Sequence, residues 1–199
     1  MHLIAIDPGG TKKGCSAAQF VRGELVCVYP VMRAAYPPEN RTVERVVIER
    51  PQQDARSRAV PPKILIELAW NGALLAGMFV GSGADLVEYT PDEWKGGVRE
   101  DGKFIGGISK ATHHANMIET GALATHELEV IGREFGVSWH ELGGLVLAAR
   151  RKEALARGAK HRNGHYSEAK EVARLPDVLD AVGLGAFDLG RIGKDGKRK

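Results

Sequence analysis

The chain has 199 residues, of which 43% are hydrophobic and 27% charged, with a formal net charge of +3. That length allows one domain with a proper core and excludes two large ones. Two cysteines, Cys15 and Cys27, exclude a disulfide framework and a zinc site of their own. Net charge alone is a weak argument for a polyanionic partner, but its distribution says more. Residues 150–170 hold seven Lys or Arg against two Glu, and the tail RIGKDGKRK holds five basic residues against Asp195. Clustered cations of this kind bind phosphate or form a solvated face.

In chain order, MHLIAID runs straight into a predicted strand over 2–7 with no secretory pattern, so a cytosolic protein is expected. DPGG then turns, and CSAAQFV and ELVCVYPV read as a hairpin about Arg22-Gly23. Simple pairing about that turn sets Cys15 opposite Pro30 and Cys27 opposite Ala18, so the thiols do not meet. RVVIERP is a short strand closing on Glu49, and QQDARSRAVPP a polar, basic loop. The double proline opens a helix over 63–80 whose only polar strip is Lys63, Glu67 and Asn71. Glu67 and Asn71, without flanking anchors, argue against a membrane span. A helix so apolar is covered on more than one side. The second cover is expected to be another copy of the chain, making a homodimer; the helices of 120–157 are the internal alternative. DLVEYT is a further strand, PDEWKGG a short helical turn, and VREDGKFIGGIS a Gly-rich excursion or small hairpin. SKATHHANMIETG begins a helical stretch, and SWHELGG opens with Ser138 and Glu141 in capping-box spacing. HRNGHY reads as a loop, so His161 and His165 are not expected to share a metal. A last helix runs from about Leu175 to Arg191. The order predicts an α/β fold, a mixed sheet with helices against it.

Four acids stand out. Asp7 ends the first strand and Glu49 the strand VVIE. Asp177 and Asp180 share one face of the last helix, with Gly183 and Gly185 allowing that helix to approach the sheet closely. Asp177 suits a first helical turn, but Asp180 sits within an apolar run, where burial is costly unless a cation meets it. Carboxylates converging from two strand ends and a helix repel until a hard divalent cation joins them, and Mg²⁺ favours such oxygen ligands. Two such ions serve phosphodiester hydrolysis.

IAIDPGGTKKG, VVIERP, TPDEWKGGV with Lys110 downstream, and DVLDAVGLGAFDLGR together resemble the ordered motifs of the RuvC family of Holliday junction resolvases. Within it, the WKG-and-lysine arrangement is most similar to the RuvC-like proteins of bacteriophages. The resemblance covers residues 1–118 and 172–191. It implies an RNase H-like mixed five-stranded sheet flanked by helices in a single nuclease domain over 1–191; residues 119–171, which do not match, are taken as a divergent helical insertion, and 192–199 as a basic tail. It also implies a homodimer that nicks four-way or branched DNA with Mg²⁺ or Mn²⁺, leaving 5′-phosphate and 3′-hydroxyl ends, in the host cytoplasm if the protein is phage-encoded. Carried over by motif, Asp7 bridges the ions, Glu49 and Asp180 complete the metal shells, and Asp177 is a further ligand. Lys95 and Lys110 are expected to neutralise a phosphate at or near the scissile bond.

Bacterial members carry an aromatic residue shortly after the strand-ending glutamate; here Arg50-Pro51-Gln52-Gln53 follows, with no aromatic before Trp70. Their sequence preference is therefore not transferable. Candidate DNA-backbone contacts are Lys12, Lys13, Arg56, Arg58, Lys95, Lys110, Arg150, Arg151 and Lys152, which read shape rather than sequence. The rival readings are a less selective nuclease cutting branched DNA or RNA–DNA hybrids, a DNA-binding module with a degenerate site, and an actin-like-fold sugar kinase. The kinase is suggested by DPGGTKKG, but no second D-x-G-x-T phosphate loop follows.

Overall fold

The computed structural model describes residues 1–9, 14–32, 43–51, 61–95, 97–100, 103–107, 110–156 and 174–199. Its centre is a mixed five-stranded sheet in the order β3-β2-β1-β4-β5. These strands are β1 (His2–Asp7), β2 (Cys15–Val21), β3 (Glu24–Met32), β4 (Arg45–Glu49) and β5 (Asp85–Tyr89). β1 to β3 form an antiparallel meander, and β4 and β5 run parallel to β1. A parallel pair needs a crossover. Helix α1 (Pro62–Val80) supplies it between β4 and β5.

β1 is buried on both faces because successive side chains alternate across the sheet. Leu3 and Ala5 enter the core beneath the C-terminal helix α6 (Leu175–Asp188), while Ile4 and Ile6 pack with Leu75, Ala76 and Phe79 of α1. On the α6 side, α3 (Lys110–Glu119), α4 (Thr125–Glu134) and α5 (Trp139–Ala156) join the same core through Met117, Leu128, Ile131 and Leu142. Thus residues 119–156 extend the main core. Gly183 and Gly185 bring α6 into close contact: a Cβ on Gly183 would lie 2.9 Å from Trp94, and one on Gly185 would collide with Phe20 of β2. The short helix α2 (Pro91–Trp94) and a separate hairpin, β6 (Gly97–Glu100) with β7 (Lys103–Gly107), lie between β5 and α3.

The meander departs from simple pairing. Two register shifts, between Cys15 and Ala17 and between Gln19 and Phe20, set Cys15 opposite Met32 and Cys27 opposite Gln19. β-Bulges of this kind insert one residue against the partner strand. The predicted Cys15–Pro30 and Cys27–Ala18 registers are corrected accordingly. Both thiols are free.

α1 uses only one side for the sheet. Gly72, Leu75, Ala76 and Phe79 are buried, while Ile64, Ile66, Trp70 and Leu74 are exposed, Ile66 at 66% and Trp70 at 63%. The helices after residue 110 pack on the opposite face of the sheet, so among the described residues the internal cover weighed for α1 is absent. It is the one described helix long and apolar enough to cross a membrane. Its polar strip has a local purpose: Asn71 Nδ2 donates to Gly9 O at 2.9 Å, tying α1 to the turn after Asp7.

Candidate active site

The site forms where the C-terminal ends of β1 and β4 meet the start of α6. Asp7 and Glu49 each lie one residue beyond the Ile6–Ile48 pair of the parallel ladder, so the two carboxylates leave adjacent strand ends. Pro176 lies in the first turn of α6, and the next two acids rise on one face of the helix. Asp180 is 3% exposed and Asp177 32% at the side chain.

Two ammonium groups lie among these acids. Lys95 Nζ, just past α2, is 2.9 Å from Glu49 Oε2 and 3.1 Å from Asp180 Oδ2. Lys110 Nζ, at the first residue of α3, is 2.5 Å from Asp180 Oδ2 and 3.3 Å from Asp177 Oδ1. Two neutral donors complete the arrangement. Trp94 Nε1 donates to Glu49 Oε2 at 2.9 Å, and His114 Nε2 lies 2.9 Å from Asp180 Oδ1. Burial holds the His114 imidazole below its ordinary pKa despite Asp180, so the neutral ring donates its Nε2–H to the carboxylate. Arg174 pairs with Asp177 at 3.1 Å and also donates to Gly14 O, Pro30 O and Ser16 Oγ, joining α6 to the far end of the glycine turn.

The four acids are not equivalent. Burial would raise the Asp180 carboxyl, but Lys95, Lys110 and His114 bring it well below the usual range. Asp7 is pushed the other way, by burial first and then by the negative charges of Asp180 and Glu49, against weaker relief from the two lysines. Both lysines are held more firmly protonated than usual: burial opposes their charge, and Asp180 with its neighbours outweighs it.

An oxygen-only donor set of this kind matches what a hard divalent cation takes. Among the described residues, however, no three His, Cys, Asp or Glu side chains stand together as a ready ligand group. The ammonium groups of Lys95 and Lys110 lie between the acids, giving part of the positive charge that such a crowd of carboxylates demands.

Asp7, Glu49, Asp177, Asp180, Lys95 and Lys110 thus come together from five separate points in the chain. The candidate DNA contacts do not all join them. Arg150, on α5, makes a bidentate pair with Glu119 of α3 at 2.6 and 2.7 Å. Arg151 and Lys152 lie on α5 with side chains outside the described set, and Lys12, Lys13, Arg56, Arg58, His161 and His165 lie outside the described residues. Trp94, Arg174 and His114 were not among the predicted site residues. Their sequence signals are visible in hindsight: His114 stands four residues after Lys110, and Arg174 three before Asp177, both one-face helical spacings.

Comparison with protein-family models, with curated proteins and with solved structures finds no significant match. The chemistry rests on the residues themselves.

Proposed function

We propose that this protein is a metal-dependent endonuclease of the RuvC-like, RNase H-like kind that nicks four-way or branched DNA. The observation that carries the reading is the gathering of four acids from β1, β4 and α6 around Lys95 and Lys110, with the Asp7 carboxyl held well above its ordinary range by burial and then by the charges of Asp180 and Glu49. A static ion-pair network has little reason to keep one carboxylate at such a disadvantage, whereas functional sites commonly do. The RuvC-like motifs contribute each of these residues, and a mixed five-stranded sheet with helices on both faces is the architecture that the resemblance implies.

Asp7, Glu49, Asp177 and Asp180 would hold Mg²⁺ or Mn²⁺. The bound ions would supply Lewis acidity and a water of lowered pKa for phosphodiester hydrolysis. Trp94 fixes the orientation of Glu49, and His114 that of Asp180. Such outer partners decide which way a ligating oxygen points. Lys95 and Lys110 bring positive charge to a place where a phosphate would otherwise face only acids. The bare apolar side of α1 supports a homodimer.

The test sets a four-way junction, a Y-fork, an RNA–DNA hybrid and a linear duplex side by side with Mg²⁺ at matched salt. Paired nicks on the junction, ending in 5′-phosphate and 3′-hydroxyl, are expected. Preferential cutting of the RNA strand would move the protein to the less selective nuclease class, and no cleavage of any substrate would overturn the proposal. For the dimer, Trp70→Glu is expected to halve the mass measured by sedimentation; an unchanged mass removes α1 from the interface.

A further inference from the structure

The last residues of the sequence look like a loose basic tail, yet they are folded. Gly193 N donates to Lys197 O at 2.9 Å, Gly196 N to Gly193 O at 3.0 Å, and Lys199 N to Arg191 O at 3.0 Å. Ile192 pairs with Arg198 across this turn and is fully buried. The turn is fastened at three places to α3 and to Thr120, the residue that follows it. Asn116 Nδ2 donates to Asp195 O at 2.7 Å, and Arg198 N donates to Thr120 Oγ1 at 3.0 Å. Gly196 sits so close to His113 that a Cβ there would meet His113 O at 2.5 Å. The His113 ring in turn packs edge-on against Trp94 at 5.2 Å, and Trp94 donates to Glu49. A continuous stack therefore runs from the turn to the acid cluster.

What this turn presents to solvent is almost wholly cationic: Lys194, Lys197, Arg198 and Lys199 are all exposed. Its single acidic side chain, Asp195, is engaged locally, accepting from Lys197 N at 3.0 Å and lying 3.9 Å from Lys197 Nζ. Lys199 Nζ lies 5.8 Å from the Phe187 ring. The cationic surface also extends toward α2, where Arg50 and Lys194 add to the Thr90 hydrogen bonds that hold the Glu93 carboxyl below its ordinary range. Four like charges on a rigid turn repel one another, and the fixed geometry brings them no benefit until a polyanion compensates them. The turn offers a membrane nothing to insert, since its exposed positions carry no apolar side chain. An extended row of phosphates suits it better.

We propose that the C-terminal turn, Gly193–Lys199, is a docking surface for the sugar–phosphate backbone of nucleic acid, held by α3 at a fixed offset from the acid cluster. This rests on the reading of the site as one that acts on nucleic acid. It adds a backbone-positioning surface that the RuvC-like motifs do not include.

The test uses the full chain carrying Asp7→Asn and follows binding of a labelled four-way junction and a duplex by fluorescence anisotropy across a salt series. Adding K194Q, K197Q, R198Q and K199Q is expected to weaken binding about 10-fold or more and to flatten the salt slope by about 2 to 4, as loss of that many phosphate contacts requires. N116A and T120V keep every cation but loosen the turn. Each, once shown by its melting curve to be folded, is expected to weaken binding several-fold with the slope unchanged. Affinity and slope equal to the Asp7→Asn parent in the fourfold variant would overturn the docking surface while leaving the nuclease reading intact. Undiminished affinity in both loosened variants would overturn its fixed placement. A parent that binds neither DNA would bring down the nuclease reading and this surface with it. Binding to anionic vesicles, lost in the fourfold variant while DNA binding is kept, would assign the turn to a lipid surface instead.

Discussion

Two of the places where the described residues bury carboxylates are built on opposite principles. Glu127, at the start of α4 and 1% exposed, has each oxygen matched. It accepts from Leu25 N at 2.7 Å, from Ala124 N at 2.9 Å, and from Arg191 at 2.7 and 2.5 Å. Arg191 also donates to Gly23 O and Ala122 O, so one ion pair staples the β2–β3 turn, α4 and the end of α6 together. Burial would raise the Glu127 carboxyl, but these bonds hold it below its usual range. At the other place four acids share three cations, Lys95, Lys110 and Arg174, and Asp7 has no ion-pair partner among the described residues. A staple is electrostatically complete. A site that is short of positive charge is waiting for some, and this shortage marks the candidate site at the strand ends more clearly than burial or charge density does.

The sharpest way to break this contrast is Asp7→Asn. The proposed chemistry predicts a loss of cleavage of about 1,000-fold or more with junction binding kept or tightened, because metal affinity falls while repulsion toward phosphate also falls. A gel assay of nicking alongside anisotropy checks both; lost binding with an intact fold would count against the metal role. Next in size is Glu127→Ala. It leaves Arg191 without its buried partner and is expected to cost about 3 to 5 kcal/mol in chemical denaturation, with little change in specific activity of the protein that remains folded. Asp180→Asn tests the same logic at the site. It leaves Lys95 and Lys110 facing each other with less counter-charge and is expected to destabilise by about 2 kcal/mol or more. A neutral effect there would show that the lysines do not depend on Asp180.

The strand ends and their acids were legible because they obey short-range rules. A continuous apolar run ending at Asp7 marked β1, Pro51 closed the segment after β4, and the spacing of Asp177 and Asp180 set both on one helix face. The hairpin itself was legible from Arg22-Gly23, but its register was not, since two bulges in mid-strand leave no local signature. Helix α4 was not separated from its neighbours because Ala124 precedes it where a capping side chain is usual. The cap comes from Glu127 reaching back to Ala124 N, and Glu127 is fixed by Arg191, 64 residues away. The same distance problem hid the lysine–carboxylate pairs. Lys95 and Lys110 were singled out for a phosphate, yet in the folded chain they first answer to Glu49, Asp177 and Asp180. The C-terminal turn was read as a tail because it has one buried apolar residue, Ile192, and is otherwise secured by Asn116 of α3 and by Thr120 just after it.

The smallest predicted effect separates the two carboxylate classes by the sign of their pH dependence. Asp7 has its native pKa raised, by burial and then by Asp180 and Glu49, so the native state holds this proton more tightly than the unfolded chain does. Stability must then fall as pH rises from the ordinary carboxylate range through the raised native value, and the whole penalty is present above that value. Glu127 has its native pKa lowered, so its contribution is complete above the ordinary range and is lost as pH falls through the native value. Asp7→Asn, which removes the charge without much change of shape, should therefore stabilise the metal-free protein at neutral pH by about 1 kcal/mol, or about 2 to 4 °C in melting temperature for a chain of this size. That gain should shrink on acidification and vanish near pH 4, the ordinary carboxylate range. Glu127→Gln should show the reverse, a loss at neutral pH that narrows in acid. If both variants shift the melting temperature in the same direction with the same pH profile, Asp7 is as well compensated as Glu127, and the case for a site short of positive charge fails at its first residue.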